Sequence, residues 1–216
     1  MEAEVRKINT LEEEKINEIG HAFGYYEYKD GELGMSRFYR DKESVSVFIT
    51  QYVRMALKAG TLYSVGEPGA GYISLNDSDA RVPAGAAWEL LKGFFCAMSL
   101  GEIVRVAKAM SAAGTSLSDR MKKQKERHLF VGLVCVSEKY QGMGYMRKLL
   151  DFAFQKGREE NLPVVLDTDA KSKCDRYLHL GMELAGTRVC PNGVILYDLV
   201  KYPEKQEQSK TKIPEL

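Results

Sequence analysis

The stretch His128 to Val136, His-Leu-Phe-Val-Gly-Leu-Val-Cys-Val, constrains the fold more than any other part of the chain. It is apolar and rich in β-branched residues without polar alternation, the composition of a strand buried on both faces. The loop Ser137 to Gly144 follows, then helical sequence to Glu160 with Leu149, Leu150, Ala153 and Phe154 on one face. Asn161-Leu162-Pro163 punctuates it, and Val164 to Thr168 reads as a second buried strand. Lys171 to Leu180 is helical and Gly181 stops that helix. Met182 to Val189, the turn Pro191-Asn192-Gly193 and Val194 to Val200 read as a closing hairpin. Buried strands joined through a helix need layers on both sides, and a terminal hairpin adds antiparallel pairing, so a mixed sheet with helices on its faces is expected.

The first half is read more coarsely. Val5 to Ile8 suggests a short strand, and Thr10-Leu11-Glu12-Glu13 fits a capping box opening a helix to about Phe23. Val45, Phe48, Tyr52, Met55, Ala56 and Ala59 recur at helical spacing from Ser44 to Lys58, with Gly60 as the stop. Thr61 to Gly66 and Tyr72 to Leu75 form a hairpin about Glu67-Pro68-Gly69-Ala70-Gly71. Asn76 to Pro83 is a polar loop. Helical sequence then runs to about Ala113 with a break near Ser99-Leu100-Gly101, and a charged helix from Ser118 to Arg127 precedes the central strand. Pro203 to Leu216 reads as a polar tail.

Composition removes several classes. Lys plus Arg total 31 and Asp plus Glu 30, a net charge of +1 without the basic footprint of a nucleic-acid binder. Cys96, Cys135, Cys174 and Cys190 are far apart, with no spacing for zinc or a disulfide framework. The apolar stretch Pro83 to Met110 is interrupted by Glu89, Lys92, Glu102 and Arg105, so it reads as buried helix and not as a membrane span. The charged start Met1 to Arg6 has no apolar signal region, and a cytoplasmic location is expected.

The junction Val134-Cys135-Val136-Ser137-Glu138-Lys139-Tyr140-Gln141-Gly142-Met143-Gly144-Tyr145-Met146-Arg147 carries the chemical information. A strand, a glycine-bearing loop and a helix start aim free backbone N–H groups and a positive helix end at one point, where a phosphate can be held. The same residues also suit a plain tight turn. A P-loop would need Lys-Ser/Thr after the second glycine, where Tyr145 and Met146 stand. A dinucleotide fingerprint would need a third glycine at Arg147 and continued βαβ units.

Gln141-Gly142-Met143-Gly144-Tyr145-Met146 resembles the Gln/Arg-x-x-Gly-x-Gly/Ala phosphate loop of the GNAT superfamily of acetyl-CoA-dependent N-acetyltransferases, departing from it at Met146. Leu166-Asp167-Thr168 followed by Tyr177-Leu178-His179-Leu180-Gly181-Met182 resembles that family's acid-containing strand and its helix ending Tyr-x-x-x-Gly-Phe. The resemblance covers His128 to Tyr202, and Lys173 replaces an asparagine common in the family. It implies an α/β fold of α+β type: a GNAT-like mixed, mostly antiparallel central sheet, helices on both faces and a helical insert before the central strand. It also implies one domain over residues 1–202, with 128–202 as the acetyl-CoA-binding half.

By the same resemblance, the backbone of Val134, Cys135 and Val136 meets the pantetheine arm of acetyl-CoA, and the amides of Gln141, Gly142, Met143, Gly144, Tyr145 and Met146 meet its pyrophosphate. Tyr177 matches the general acid that protonates the leaving thiolate. Its phenol is protonated at neutral pH because its ordinary pKa is near ~10. His128, at the start of the central strand, is of a residue type that serves as a general base, but it also fits a surface or strand-end histidine. Asp167 stands where relatives often carry an acid, and also fits a residue that hydrogen-bonds the loop or caps the next helix. The acceptor is expected between the early helices, hairpin and insert, where Phe23, Tyr25, Tyr26, Tyr28, Phe38, Tyr39 and Trp88 either line it or pack. Transfer to a small-molecule primary amine is the expected activity, with no metal, nucleic acid or membrane. A protein or peptide acceptor and a catalytically silent CoA-binding regulatory module are the alternatives. The closing hairpin is able to pair across a homodimer, although nothing in the sequence demands it.

Overall fold

The computed structural model describes residues 4–67 and 69–203. The expected tail, apart from Pro203, and Pro68 of the first hairpin lie outside them. In chain order the elements are β1 (Val5–Lys7), α1 (Glu13–Gly24), α2 (Lys42–Ala59), β2 (Leu62–Val65) and β3 (Gly71–Asp77). The insert α3 (Ala84–Ala97), α4 (Leu100–Ala113) and α5 (Leu117–Lys123) comes next. The second half is β4 (Leu129–Val136), α6 (Tyr145–Glu160), β5 (Val164–Thr168), α7 (Lys171–His179), β6 (Glu183–Val189) and β7 (Ile195–Lys201).

The strands form one seven-stranded sheet in the order β1-β2-β3-β4-β5-β7-β6. Every pairing is antiparallel except β4 with β5. Side-chain alternation fixes the two layers. Val164 and Leu166 of β5 and Leu199 of β7 pack with Leu149, Leu150 and Ala153 of α6 and Cys174 of α7. On the opposite face, Val45, Ile49 and Val53 of α2 meet Ile16 and Ile19 of α1, with Leu62, Tyr72 and Leu133 of the sheet. Val165 and Val200 meet Met121 of α5 on that same face.

Several expectations need correction. The capping box at Thr10 is not formed: α1 begins at Glu13, with Glu12 at its cap position and no side-chain cap. Asp41 caps α2 by accepting from the Ser44 N–H at 2.7 Å. The insert is not buried helix. α3 packs on α2 through Ala86, Gly93 and Ala97, with Glu89 paired to Lys58 and Lys92, and leaves Trp88, Leu91 and Phe95 exposed. Small residues face α2 because the helices approach closely: a methyl group at Gly93 would stand 3.1 Å from the Gln51 Cβ. Among the described residues, no helix is long and apolar enough to cross a membrane.

Candidate active site

The parallel ladder of β4 with β5 contains only Leu129↔Val164 and Phe130↔Val165, after which the strands part. A β-bulge lies at the parting: Ser74 pairs with Leu133 and Leu75 with Val131, leaving Gly132 unmatched. The extra residue bends β4 and reverses which faces the following side chains take. Glycine is required there, because a methyl group would stand 1.9 Å from the Tyr52 hydroxyl. Tyr52, reached through neither of the sequence motifs, thus borders the gap from α2, and burial pushes its phenol above its usual pKa.

Past the bulge, β4 offers backbone to the gap. The Ser137 N–H donates to the Ala70 carbonyl on the β3 side. Alternation then turns the N–H and C=O of Val134 and Val136 toward the gap and those of Cys135 toward β3. Of the three residues expected to meet a pantetheine arm, Val134 and Val136 therefore have their groups on the open edge.

The loop after β4 forms the anion cradle. Gly142 and Gly144 have φ of 79° and 77°, the left-handed region that glycine enters without a side-chain clash. Among the described residues no protein group accepts from the N–H of Gly142, Gly144, Tyr145 or Met146. The Gln141 and Met143 N–H groups are already used, donating to the Glu138 and Tyr140 carbonyls at 3.0 and 3.4 Å. Those two amides differ from their neighbours in having protein acceptors, the carbonyls of the short helical turn over Glu138–Tyr140. The first turn of α6 contains no acid, and Arg147 and Lys148 follow at once. Cations at a helix N-terminus oppose its dipole, which favours an anionic ligand there. These residues fit the diphosphate of acetyl-CoA. Gly144→Ala should raise the dissociation constant for CoA severalfold or more in calorimetry while changing stability by about 1 kcal/mol, the cost of a positive φ. The fold should survive because a Cβ at Gly144 meets nothing within 4 Å. Unchanged affinity would place the diphosphate elsewhere.

Tyr177 lies on α7, partly buried against the α6-side core. Burial, reinforced by the charge of Asp169, holds its phenol above the ordinary tyrosine value. Among the described residues nothing hydrogen-bonds its hydroxyl. Beside it, the segment joining α1 to α2 crosses to the β5–α7 junction. The Asp169 carboxylate accepts from the Tyr28 hydroxyl and the Met35 N–H, each at 2.5 Å, and from Lys173 at 2.8 Å. Lys173 also lies over the rings of Tyr26 and Tyr28, at 4.2 and 4.6 Å from their centroids. Burial works to raise the Asp169 pKa, but these partners outweigh it and keep the carboxyl below its usual range. Glu32 of the same segment caps α7, accepting from the Ser172 N–H and hydroxyl at 2.6 and 2.7 Å. The aromatic run is therefore divided: Tyr26 and Tyr28 fasten this strap, Phe38 is core, and Tyr25 is exposed.

His128 is fully buried. Its Nε2 lies 2.7 Å from the Ser118 hydroxyl and its Nδ1 3.0 Å from the Glu126 carbonyl, so both ring nitrogens have protein partners. It adjoins the paired end of β4, and it joins α5 to the sheet. The structure does not bring it together with Tyr177.

Asp167 lies two residues beyond the last β4–β5 pair, on the face opposite α6, in the wall of a cavity of about 710 Å³. The cavity lies between the sheet and the insert, from the end of α4 through α5. None of the early aromatic residues nor Trp88 lines it. Asp167 stands directly opposite Asp198 in the β5–β7 register. Arg188 of β6 bridges them, donating from Nε and Nη2 to Asp198 and from Nη2 to Asp167 at 2.9 Å. Asp198 and Arg188 are 1% and 6% exposed, whereas the Asp167 side chain, 32% exposed, opens on the cavity. Burial and the neighbouring Asp198 raise the Asp167 pKa, and Arg188 opposes that rise. Sequence reading missed this network. Its signal was a charge in the interior of each of the runs Glu183–Val189 and Ile195–Lys201, Arg188 and Asp198, in addition to the charges at their ends, Glu183 and Lys201.

Comparison with known proteins gives the family and the fold. A profile of the acetyltransferase (GNAT) family matches residues 70–181, and the chain belongs to that family. It is accordingly an acetyl-CoA-dependent N-acetyltransferase. Arylalkylamine N-acetyltransferase 2 from Aedes aegypti is similar in fold, with a TM-score of 0.58 and 12% identity over 93% of this chain and 98% of that one. An apo agmatine N-acetyltransferase variant gives 0.53 and 17% over 94% and 100%, and a GNAT-family acetyltransferase from Listeria monocytogenes 0.54 and 13% over 93% and 94%. No curated protein sequence matches the chain significantly.

Proposed function

We propose that the protein transfers the acetyl group of acetyl-CoA directly to the primary amine of a small molecule. The observation that carries this reading is the relation of the β4–β5 gap to its two sides. The cradle of free amides lies at the α6 end, and the cavity holding Asp167 opens on the opposite face. The thioester reaches the gap along Val134 and Val136, and the amine comes to it through the cavity. Asp167, with its raised pKa, takes the ammonium proton. The neutral nitrogen then attacks the thioester carbonyl, the C–N bond forms, the C–S bond breaks, and the Tyr177 phenol gives its proton to the departing thiolate. The second proton, shed by the new amide nitrogen, restores the phenol through solvent, and Asp167 releases the first to water. Its raised pKa keeps that proton in place at neutral pH. His128, with both ring nitrogens engaged, has no part in the transfer. The similar folds of an arylalkylamine and an agmatine N-acetyltransferase support a small amine as acceptor.

An amine-library screen that follows thiol release from acetyl-CoA tests this reading. Turnover with at least one small primary amine is expected. Acetyl-CoA at a hundredfold excess over its dissociation constant should also stabilise the protein by about 2.7 kcal/mol in thermal unfolding. Binding without turnover across the library would turn the reading toward a silent CoA-binding module.

A further inference from the structure

We propose that the cavity selects acceptors by the charge at their far end, taking amines that carry a carboxylate or similar anion there and rejecting polyamines. The proposal rests on the reading above that the acceptor occupies this cavity. At the sheet end, the two carboxylates are already met by cations: Arg188 bridges Asp167 and Asp198, and Arg120 stands 3.9 Å from Asp198. At the other end, Lys122 and Lys123 of α5 line the cavity and are exposed. Among the described residues neither has a carboxylate partner. Asp119, the remaining acid in the wall, accepts from the Ser116 hydroxyl at 2.7 Å. In the wall itself three cations, Arg188, Lys122 and Lys123, stand with three carboxylates, Asp119, Asp167 and Asp198. At the α5 end two lysines face Asp119 alone, so the positive excess is there, while Arg120 from outside the wall supplements Arg188 at the sheet end.

An ammonium directed at Asp167 would lay the rest of its molecule along the apolar wall of Leu117, Phe130 and Val165, toward the lysines. A second ammonium there meets like charge, an anion meets opposite charge, and a neutral end meets neither. The wall is partly open to solvent, so the preference should weaken with added salt.

Three five-carbon amines share the reacting end and differ only at the other: 5-aminopentanoate, pentylamine and cadaverine. Their kcat/KM values with acetyl-CoA should fall in that order, with about tenfold between the first and the last. The double variant Lys122→Glu/Lys123→Glu, altering two exposed residues, should keep its melting temperature and reverse the order. Equal use of cadaverine and 5-aminopentanoate by the unaltered protein, or an order unmoved by the double variant, overturns the proposal. If acetyl-CoA binds but no amine in a wider panel is acetylated, the small-amine reading fails instead. The charge preference is then measured by calorimetric binding of the same three compounds to the CoA-loaded protein. Absent or equal binding there overturns it.

Discussion

Arg188→Leu is expected to destabilise the protein by about 3–5 kcal/mol at neutral pH, the usual cost of removing one partner from a buried charge network. For a chain of this length that corresponds to a fall in melting temperature of roughly 10 °C. The register is the cause: Asp167 and Asp198 stand directly opposite on β5 and β7, an arrangement that like charges destabilise. Arg188 makes the arrangement tolerable through its bonds to both. The loss should depend on pH. Burial and Asp198 already raise the Asp167 pKa, and Arg188 is the main influence lowering it. Without Arg188 the carboxyl rises further, and the folded variant binds a proton that the unfolded chain releases. Its stability therefore falls as pH rises through the raised folded pKa, and recovers as pH drops toward the ordinary aspartate range. Adding Asp198→Leu should restore much of the loss at pH 7.5. A single variant melting within about 2 °C of the parent, with no recovery in acid, would remove the network from the fold's stability.

Tyr177→Phe is expected to lower kcat by about a hundredfold or more, the low end of what a positioned general acid contributes. Acetyl-CoA affinity should remain, because the cradle at Gly142 and Gly144 is made from a different loop. The fold should also remain. Among the described residues the Tyr177 hydroxyl has no protein partner, and its ring, which phenylalanine keeps, supplies the packing. A stable, CoA-binding, slow variant is thus the outcome that assigns the hydroxyl to chemistry. The raised phenol pKa adds that the unaltered enzyme should show no alkaline loss of kcat from this group below its ordinary titration range. Turnover equal to the parent across several amines would remove Tyr177 from proton transfer.

The two halves differed in how much could be read. Strand β5 falls at Val164–Thr168 as expected, because a short apolar run between proline punctuation and a helix has little freedom in where it ends. The break between α3 and α4 was visible too, and Ser99 with Glu102 closes a capping box there. α1 was placed by a capping signal at Thr10 that the structure does not use, a short local pattern overridden by where the helix meets α2. The exposure of Trp88 and Phe95 could not be foreseen. Their apolar character points inward by composition, while the close approach of α3 to α2 admits only the small residues on its other side.

The sequence alone determined the glycine loop, the buried strand before it and the helix after it. These are set by local properties: positive φ at Gly142 and Gly144, β-branched composition, and the period of α6. It thereby pointed to the family, which the matching profile over residues 70–181 shows. Tertiary structure decided what faces the gap. The bulge at Gly132, the strap from Tyr28 to Asp169, the bridge from Asp167 through Arg188 to Asp198, and the engagement of His128 by Ser118 all depend on strand register and on residues far apart in the chain. Local preference carries no information about which of two distant charges will share a row of the sheet. Pairing across strands settles that, and with it which acid opens on the cavity.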